Sequence, residues 1–248
     1  MSEPTSQRVA LVTGAAQRIG AEICRHLHAA GFNIIIHYRS SSQAAEQLAA
    51  NLNGQRSDSA HCIQADLTNR DAVQALATAA EKHWGHIDAL INNASTFYPT
   101  PLNQSTQDDW DALFDSNVRG PFFLTQSLTA TLSQRRGCIV NLVDIHSERP
   151  MTEHTIYSMA KASVAMMTKT LAKEMAPTVR VNGVSPGAIL WPEQALDPDN
   201  QSSILNKVPM QTIGDVSDIA NTVAFLVNDA PYITGQIIAV DGGRCLNM

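Results

Sequence analysis

The sequence predicts an α/β fold: a doubly wound parallel sheet of about seven strands with helices on both faces. Three observations predict it. Short, nearly uninterrupted apolar runs alternate with longer stretches of helical periodicity. The first run leads through Gly14 and Gly20 directly into a helical pattern. The chain has 248 residues, 44% of them hydrophobic, enough to fill one large α/β domain, so 1–248 is read as a single unit.

The runs at 9–12, 33–37, 61–64, 89–91, 138–143, 180–184 and 236–240 read as strands. Their lack of polar alternation suits parallel strands covered on both faces. Helical stretches fall at 19–30, 43–51, 70–83, 118–134 and 156–175. Strand–helix–strand units of this kind are right-handed, and ligands bind beyond the carboxyl ends of the strands. Two segments interrupt the alternation. Residues 95–109 look loop-like, and 186–208 is rich in Pro, Asp and Asn. Both follow strands and should border the ligand crevice, the second as a lid or substrate loop.

Composition excludes several classes. The formal charge of −6, without a basic run, gives no attraction to nucleic acid or an anionic membrane. Cys24, Cys62, Cys138 and Cys245 are widely spaced and read as reduced thiols of a cytoplasmic protein. The opening Met-Ser-Glu-Pro-Thr-Ser-Gln-Arg has no apolar core of a signal peptide, and no apolar run approaches about 18 residues. His83-Trp84-Gly85-His86 has metal-like histidine spacing, but no carboxylate or cysteine accompanies it. It reads as a helix end capped by glycine, and no metal is expected. Met166 and Met167 read as core or subunit-interface packing.

The turn Thr13-Gly14-Ala15-Ala16-Gln17-Arg18-Ile19-Gly20 points to a dinucleotide. A glycine turn entering a helix presents free N–H groups and a positive dipole end to a phosphate. Gly14 permits the turn and Gly20 close helix–strand packing, while Arg18 replaces the usual middle glycine. At the end of the second strand an acid would bind the ribose hydroxyl of NAD. Here the chain reads His37-Tyr38-Arg39-Ser40-Ser41, a cation and two hydroxyls that suit the 2′-phosphate of NADP(H). Asp66-Leu67 after the third strand could hold the adenine. Asn92-Asn93-Ala94-Ser95 after the fourth would bring backbone close to the nicotinamide ribose.

Tyr157 and Lys161 stand four residues apart, on one face of a helix. An ammonium beside the phenol should lower a pKa that starts near about 10 and make the tyrosine a usable proton donor. Asp144 ends the fifth strand, 13 residues before Tyr157. Asn117 begins a long predicted helix, where its amide could orient a water or a lysine.

Taken together, Thr-Gly-x-x-x-x-x-Gly, Asn92-Asn93-Ala94, Asn117, Tyr157-x-x-x-Lys161, Ser185-Pro186-Gly187 and Val240-Asp241-Gly242-Gly243 resemble the short-chain dehydrogenase/reductase family. The likeness spans nearly the whole chain, in order. It implies a Rossmann fold, a nicotinamide cofactor held also by Pro186, Gly187 and Ile189, and a homotetramer. One departure is informative. Most members carry serine 13 residues before the tyrosine to hold a carbonyl oxygen, and Asp144 stands there. Ser147 is nearby at the wrong spacing. With Arg18, His37-Tyr38 and the stretch Asn93-Ala94-Ser95-Thr96-Phe97-Tyr98-Pro99-Thr100-Pro101, this is similar to the pteridine reductase branch.

That likeness implies NADPH-dependent reduction of dihydropterins, and sometimes of oxidised pterins or folates. Hydride would reach a ring carbon and a proton the neighbouring nitrogen, through Lys161, Tyr157 and Asp144. Phe97 resembles the aromatic on which the pteridine stacks. Ser95 and Arg18 match positions that bond the pterin and the cofactor pyrophosphate, and Trp191 stands where it could close over substrate. Two alternatives remain from the residues: a broad carbonyl reductase, against which Asp144 argues, and a non-catalytic NADP(H) sensor, against which Asn117, Tyr157 and Lys161 argue.

Overall fold

A computed structural model describes residues 7–189 and 198–247. In chain order the elements are β1 (Val9–Val12), α1 (Arg18–Ala29), β2 (Asn33–Tyr38), α2 (Ser42–Gln55), β3 (Ala60–Gln64), α3 (Arg70–Trp84), β4 (Ala89–Asn92), α4 (Gln107–Phe114), α5 (Gly120–Ser127), α6 (Thr129–Gln134), β5 (Cys138–Leu142), α7 (Thr155–Met175), β6 (Arg180–Pro186), α8 (Pro198–Asn206), α9 (Val216–Asn228) and β7 (Ile237–Val240). The seven strands form one parallel sheet in the order β3-β2-β1-β4-β5-β6-β7. The strand order reverses between β1 and β4. The crevice beyond their carboxyl ends is therefore where this topology places a ligand.

Strand alternation sorts the core into two layers. Ala10, Val12, Ile34, Ile36 and Val140 face one side, packed against Ile23 and Leu27 of α1, Leu48 of α2 and Val223 and Leu226 of α9. Val9, Leu11, Ile35, Leu90 and Ile139 face the other, against Val73 and Leu76 of α3, Leu124 of α5, Leu132 of α6 and Met175 of α7. Each Val, Leu, Ile or Met among them contributes about 1.5–3 kcal/mol on burial. The predicted apolar runs of the inner strands are buried because both faces are covered, whereas those of the edge strands β3 and β7 are only partly so.

The predicted helix at 118–134 is not continuous. A π-helical turn, Asp115–Arg119, joins α4 to α5, and a further break at Leu128 separates α6. Pro121 has no N–H to give the preceding turn, and its ring crowds the carbonyl four residues back, so the ladder widens there. Three helices lay outside the predicted pattern. Helix α4 begins within the predicted loop 95–109, where Thr106 and Asp109 form a reciprocal cap. Helix α9 begins with the same device, from Asp215 and Asp218. Helix α8 occupies part of the predicted loop 186–208, starting on Pro198, a residue favoured at helix starts. Trp191 lies outside the described residues. Gly85 caps α3 in the left-handed region, as its sequence position suggested. Among the described residues, no helix is long and apolar enough to cross a membrane.

Candidate active site

The glycine turn after β1 is built by close approach. A Cβ on Gly20 would sit 2.4 Å from Gly14 O, and one on Gly14 would sit 2.8 Å from Ala94 Cα. Only hydrogen fits at either place. Thr13 ties this turn to the segment after β4: its Oγ1 accepts from Asn93 N and Ala94 N, both at 3.0 Å. Asn93 Nδ2 donates back to Thr13 O at 2.8 Å and Gly14 O at 2.9 Å. Arg18 holds the left-handed conformation, φ +52, at the place of the usual middle glycine. Gln17, the residue before α1, makes no side-chain cap, so the first N–H groups of the helix keep no side-chain acceptor.

His37 was noticed in the sequence only as part of a motif, yet it organises this turn. Its Nδ1 accepts from Gly14 N at 3.1 Å, and its Nε2 lies 3.1 Å from Ala65 O. A carbonyl only accepts, so Nε2 carries the proton and the ring is neutral. Burial holds its pKa down at about 4, with the Ala65 carbonyl and Asp66 acting the other way. One ring thus joins the ends of β2 and β3 to the glycine turn.

Beyond His37, Tyr38, Arg39, Ser40 and Ser41 line one end of a cavity of about 720 Å³, with Asp66 and Leu67. Ser41 precedes α2 without capping it through its side chain, leaving the hydroxyl for a ligand. Asp66 accepts from Thr68 N at 2.9 Å and Thr68 Oγ1 at 2.8 Å. Those bonds, the backbone one foremost, hold its carboxyl below the usual range. Asp66 therefore shapes the wall through a local turn and retains only part of its acceptor capacity.

At the other end stand the titratable groups. Asp144 Oδ2 accepts the Tyr157 hydroxyl at 2.7 Å, while Oδ1 accepts His146 N at 2.8 Å and caps a short 3-10 turn. Lys161, one turn along α7, donates from Nζ to Leu142 O at 3.0 Å, with Nζ 5.7 Å from the Tyr157 ring centroid. Tyr157 and Lys161 are only 4% and 3% exposed.

The expected direction of the tyrosine shift is overturned. Burial, and next the Asp144 carboxylate, hold the Tyr157 phenol well above its usual range, with only the Ser95 hydroxyl acting against them. Burial pushes Lys161 down to about 8, opposed by Asp144. Lys161 shares a face with Tyr157 but spends its bond on the end of β5. The nearer charge is negative, and it keeps the proton on the phenol.

Asn117 also differs from expectation. It sits in the π turn, where Nδ2 donates to Thr96 O at 3.0 Å and Leu113 O at 2.9 Å, and Oδ1 accepts from Ser95 Oγ at 2.7 Å. Its amide is consumed in fixing the loop after β4. It lies behind the cavity wall, with its amide bonded to Thr96, Leu113 and Ser95. Phe97, by contrast, is 53% exposed and no core residue. Its ring stacks on His154 at 4.7 Å and meets Tyr157 edge-on at 4.8 Å. With one face covered by an imidazole, its other side is available in the cavity.

Pro186, Gly187 and Ile189 close the cavity from β6, and Arg18, Ile19, Ala94 and Ser95 line it with Tyr157 and Lys161. Sequence reasoning missed His146, Met151, Ile204 and Arg244, which also line it. None carries a spacing signal, because the fold brings them together from distant segments.

The sequence model of the family described as enoyl-(acyl carrier protein) reductase matches residues 14–244. Pteridine reductase 1 of Leishmania tarentolae is 38% identical, over 99% of this chain and 98% of its own. A 3-oxoacyl-(acyl-carrier-protein) reductase of Staphylococcus epidermidis is 37% identical, over 94% and 97% respectively. The 3beta-hydroxysteroid dehydrogenase 1 of Eggerthella lenta is 32% identical, over 99% and 97%.

Proposed function

The chain belongs to the short-chain dehydrogenase/reductase family, and from that premise we propose that it is an NADPH-dependent pteridine reductase. One observation carries the reading: a carboxylate, Asp144, holds the hydroxyl of Tyr157 at 2.7 Å. A carbonyl reductase needs a neutral donor on an oxygen that becomes an alkoxide, and a carboxylate there would repel it. A ring nitrogen that gains a proton as the adjacent carbon gains hydride has the opposite need. It is served by an acid–carboxylate pair.

NADPH, when bound, supplies the hydride. Its fit is supported by the uncapped start of α1 and by the Gly14–Gly20 approach, which leaves backbone N–H groups open to a pyrophosphate. Arg39, Ser40 and Ser41 would take the 2′-phosphate, with no carboxylate among them to prefer a free ribose hydroxyl. Phe97 would hold the flat pteridine over the nicotinamide end, and Ser95 and Arg18 would bond its polar edge. The proton for the nitrogen comes through the Tyr157–Asp144 pair, and Lys161 restores it from the side of β5. Dihydrobiopterin, dihydromonapterin and dihydrofolate all fit that chemistry.

A broad carbonyl reductase is the second reading, favoured by the 37% identity to a 3-oxoacyl reductase. Replacing Asp144 separates the two. In Asp144→Ser, turnover of a dihydropterin should fall by about 10²-fold or more while NADPH still binds. Unchanged pterin turnover would remove the mechanism. We also propose a cytoplasmic homotetramer. Its support is an open hollow of about 610 Å³, edged by half-exposed Phe122, Phe123 and Met166, which self-association would cover. Sedimentation showing a monomer at micromolar concentration would contradict it.

A further inference from the structure

We propose that Arg244 is a specificity-determining residue that binds a carboxylate carried on the substrate's side chain, away from the reacting ring; this rests on the pteridine reading above. Arg244 opens the 3-10 turn Arg244–Leu246 after β7. That turn is rigidly framed. Asp241 accepts from Gly243 N at 2.9 Å and Cys245 N at 2.7 Å. Gly187, at the end of β6, donates to Val240 O at 2.9 Å, and a Cβ there would stand 2.6 Å from Asp241 Cα.

The frame delivers Arg244 to the wall of the cavity that contains Asp144 and Tyr157, a wall to which His146, Met151 and Ile204 also contribute. Cys245, the next residue, feels the charges of Arg149 and Glu148, which puts the turn beside the segment that follows Asp144. Arg244 is thus at the catalytic end. Arg39 stands at the ribose-phosphate end, where the cofactor's phosphate would engage it, and Arg18 at the glycine turn, where the pyrophosphate and the polar edge of the ring would engage it.

The guanidinium has no structural employment. Its Nε is shielded from solvent without a hydrogen-bond partner, and among the described residues no ion pair or side-chain hydrogen bond involves it. The shielded Nε is closed to a ligand as it is to water, but the terminal nitrogens on the cavity wall have no protein acceptor among the described residues, so a ligand bringing one gains affinity. A planar fork of N–H donors matches a carboxylate in two parallel bonds. Folate-type pteridines carry carboxylates on a side chain remote from the reducible ring. Biopterin-type pteridines carry only hydroxyls there.

The experiment compares kcat/KM for 7,8-dihydrofolate and 7,8-dihydrobiopterin in the wild type, Arg244→Gln and Arg244→Lys. Arg244→Gln should lower the dihydrofolate value about tenfold, through KM, and leave dihydrobiopterin within about twofold. Arg244→Lys should recover part of the loss, since it keeps the charge without the fork. Equal loss on both substrates would mean a structural role, and no loss on either would mean that solvent satisfies the guanidinium; each overturns the inference. So does a wild type that reduces dihydrobiopterin but not dihydrofolate. A wild type that reduces neither removes the pteridine reading, and this inference with it.

Discussion

The two ends of the cavity are built from different materials. At the glycine turn, selectivity comes from backbone: Gly14 and Gly20 admit no Cβ, Thr13 and Asn93 lock two loops, and the His37 ring is neutral and fully bonded. At the catalytic end, buried side chains hold titratable protons: Tyr157 well above its usual range and Lys161 down at about 8. On the proposed function, the first region would hold an anion in one position, and the second would move a proton. Damage to the first should therefore appear in cofactor affinity and stability, and damage to the second in turnover and pH dependence.

The largest expected effect breaks the catalytic end alone. Tyr157→Phe removes the proton donor and should cost about 10²–10⁴-fold in kcat, with NADPH affinity by fluorescence titration nearly unchanged. An equal loss of NADPH affinity would show that the two ends are not separable. Next is Gly20→Ala. Its Cβ would stand 2.4 Å from the Gly14 carbonyl oxygen, a backbone atom that cannot move alone. We expect about 1–3 kcal/mol of destabilisation in urea unfolding. Smaller still, His37→Leu should raise KM for NADPH several-fold at constant kcat. His37→Gln, which retains an acceptor and a donor, should restore most of it. A fall in kcat for His37→Leu would place the ring in the chemistry instead.

The pH profile sharpens the contrast. Lys161 ordinarily titrates at 10.5 and here at about 8, so the folded protein releases this proton first. Between those values the unfolded chain binds more protons, and the contribution of this residue to stability rises with pH. Turnover that needs the ammonium falls as pH rises through about 8. Lys161→Arg keeps its charge there and should flatten the upper limb of the kcat profile. An unaltered limb would assign it to another group.

Much of the fold was legible because burial on both faces leaves a direct trace, as in the runs at Val9–Val12 and Cys138–Leu142. Of the helices that escaped, α4 and α9 announced themselves through caps, Thr106 with Asp109 and Asp215 with Asp218, and α8 through Pro198 at its start, rather than through apolar spacing. The pairing of Tyr157 with Lys161 was legible from helical geometry. The sign of the tyrosine shift was not, because it depends on burial and on which atom each polar tip reaches. Lys161 reaches the Leu142 carbonyl and Tyr157 reaches Asp144. The same limit hid Asn117, whose amide turned to Thr96 and Leu113, and His37, whose two ring nitrogens meet partners 23 and 28 residues away.

NADPH oxidation followed with 7,8-dihydrobiopterin, in parallel with an acetoacetyl thioester and a simple ketone, tests the central claim most directly. The account predicts turnover of the dihydropterin, with little or none of the two carbonyl compounds, because Asp144 occupies the place where a carbonyl oxygen would develop charge. Turnover of the carbonyl compounds alone would contradict it and make the broad reductase reading the correct one.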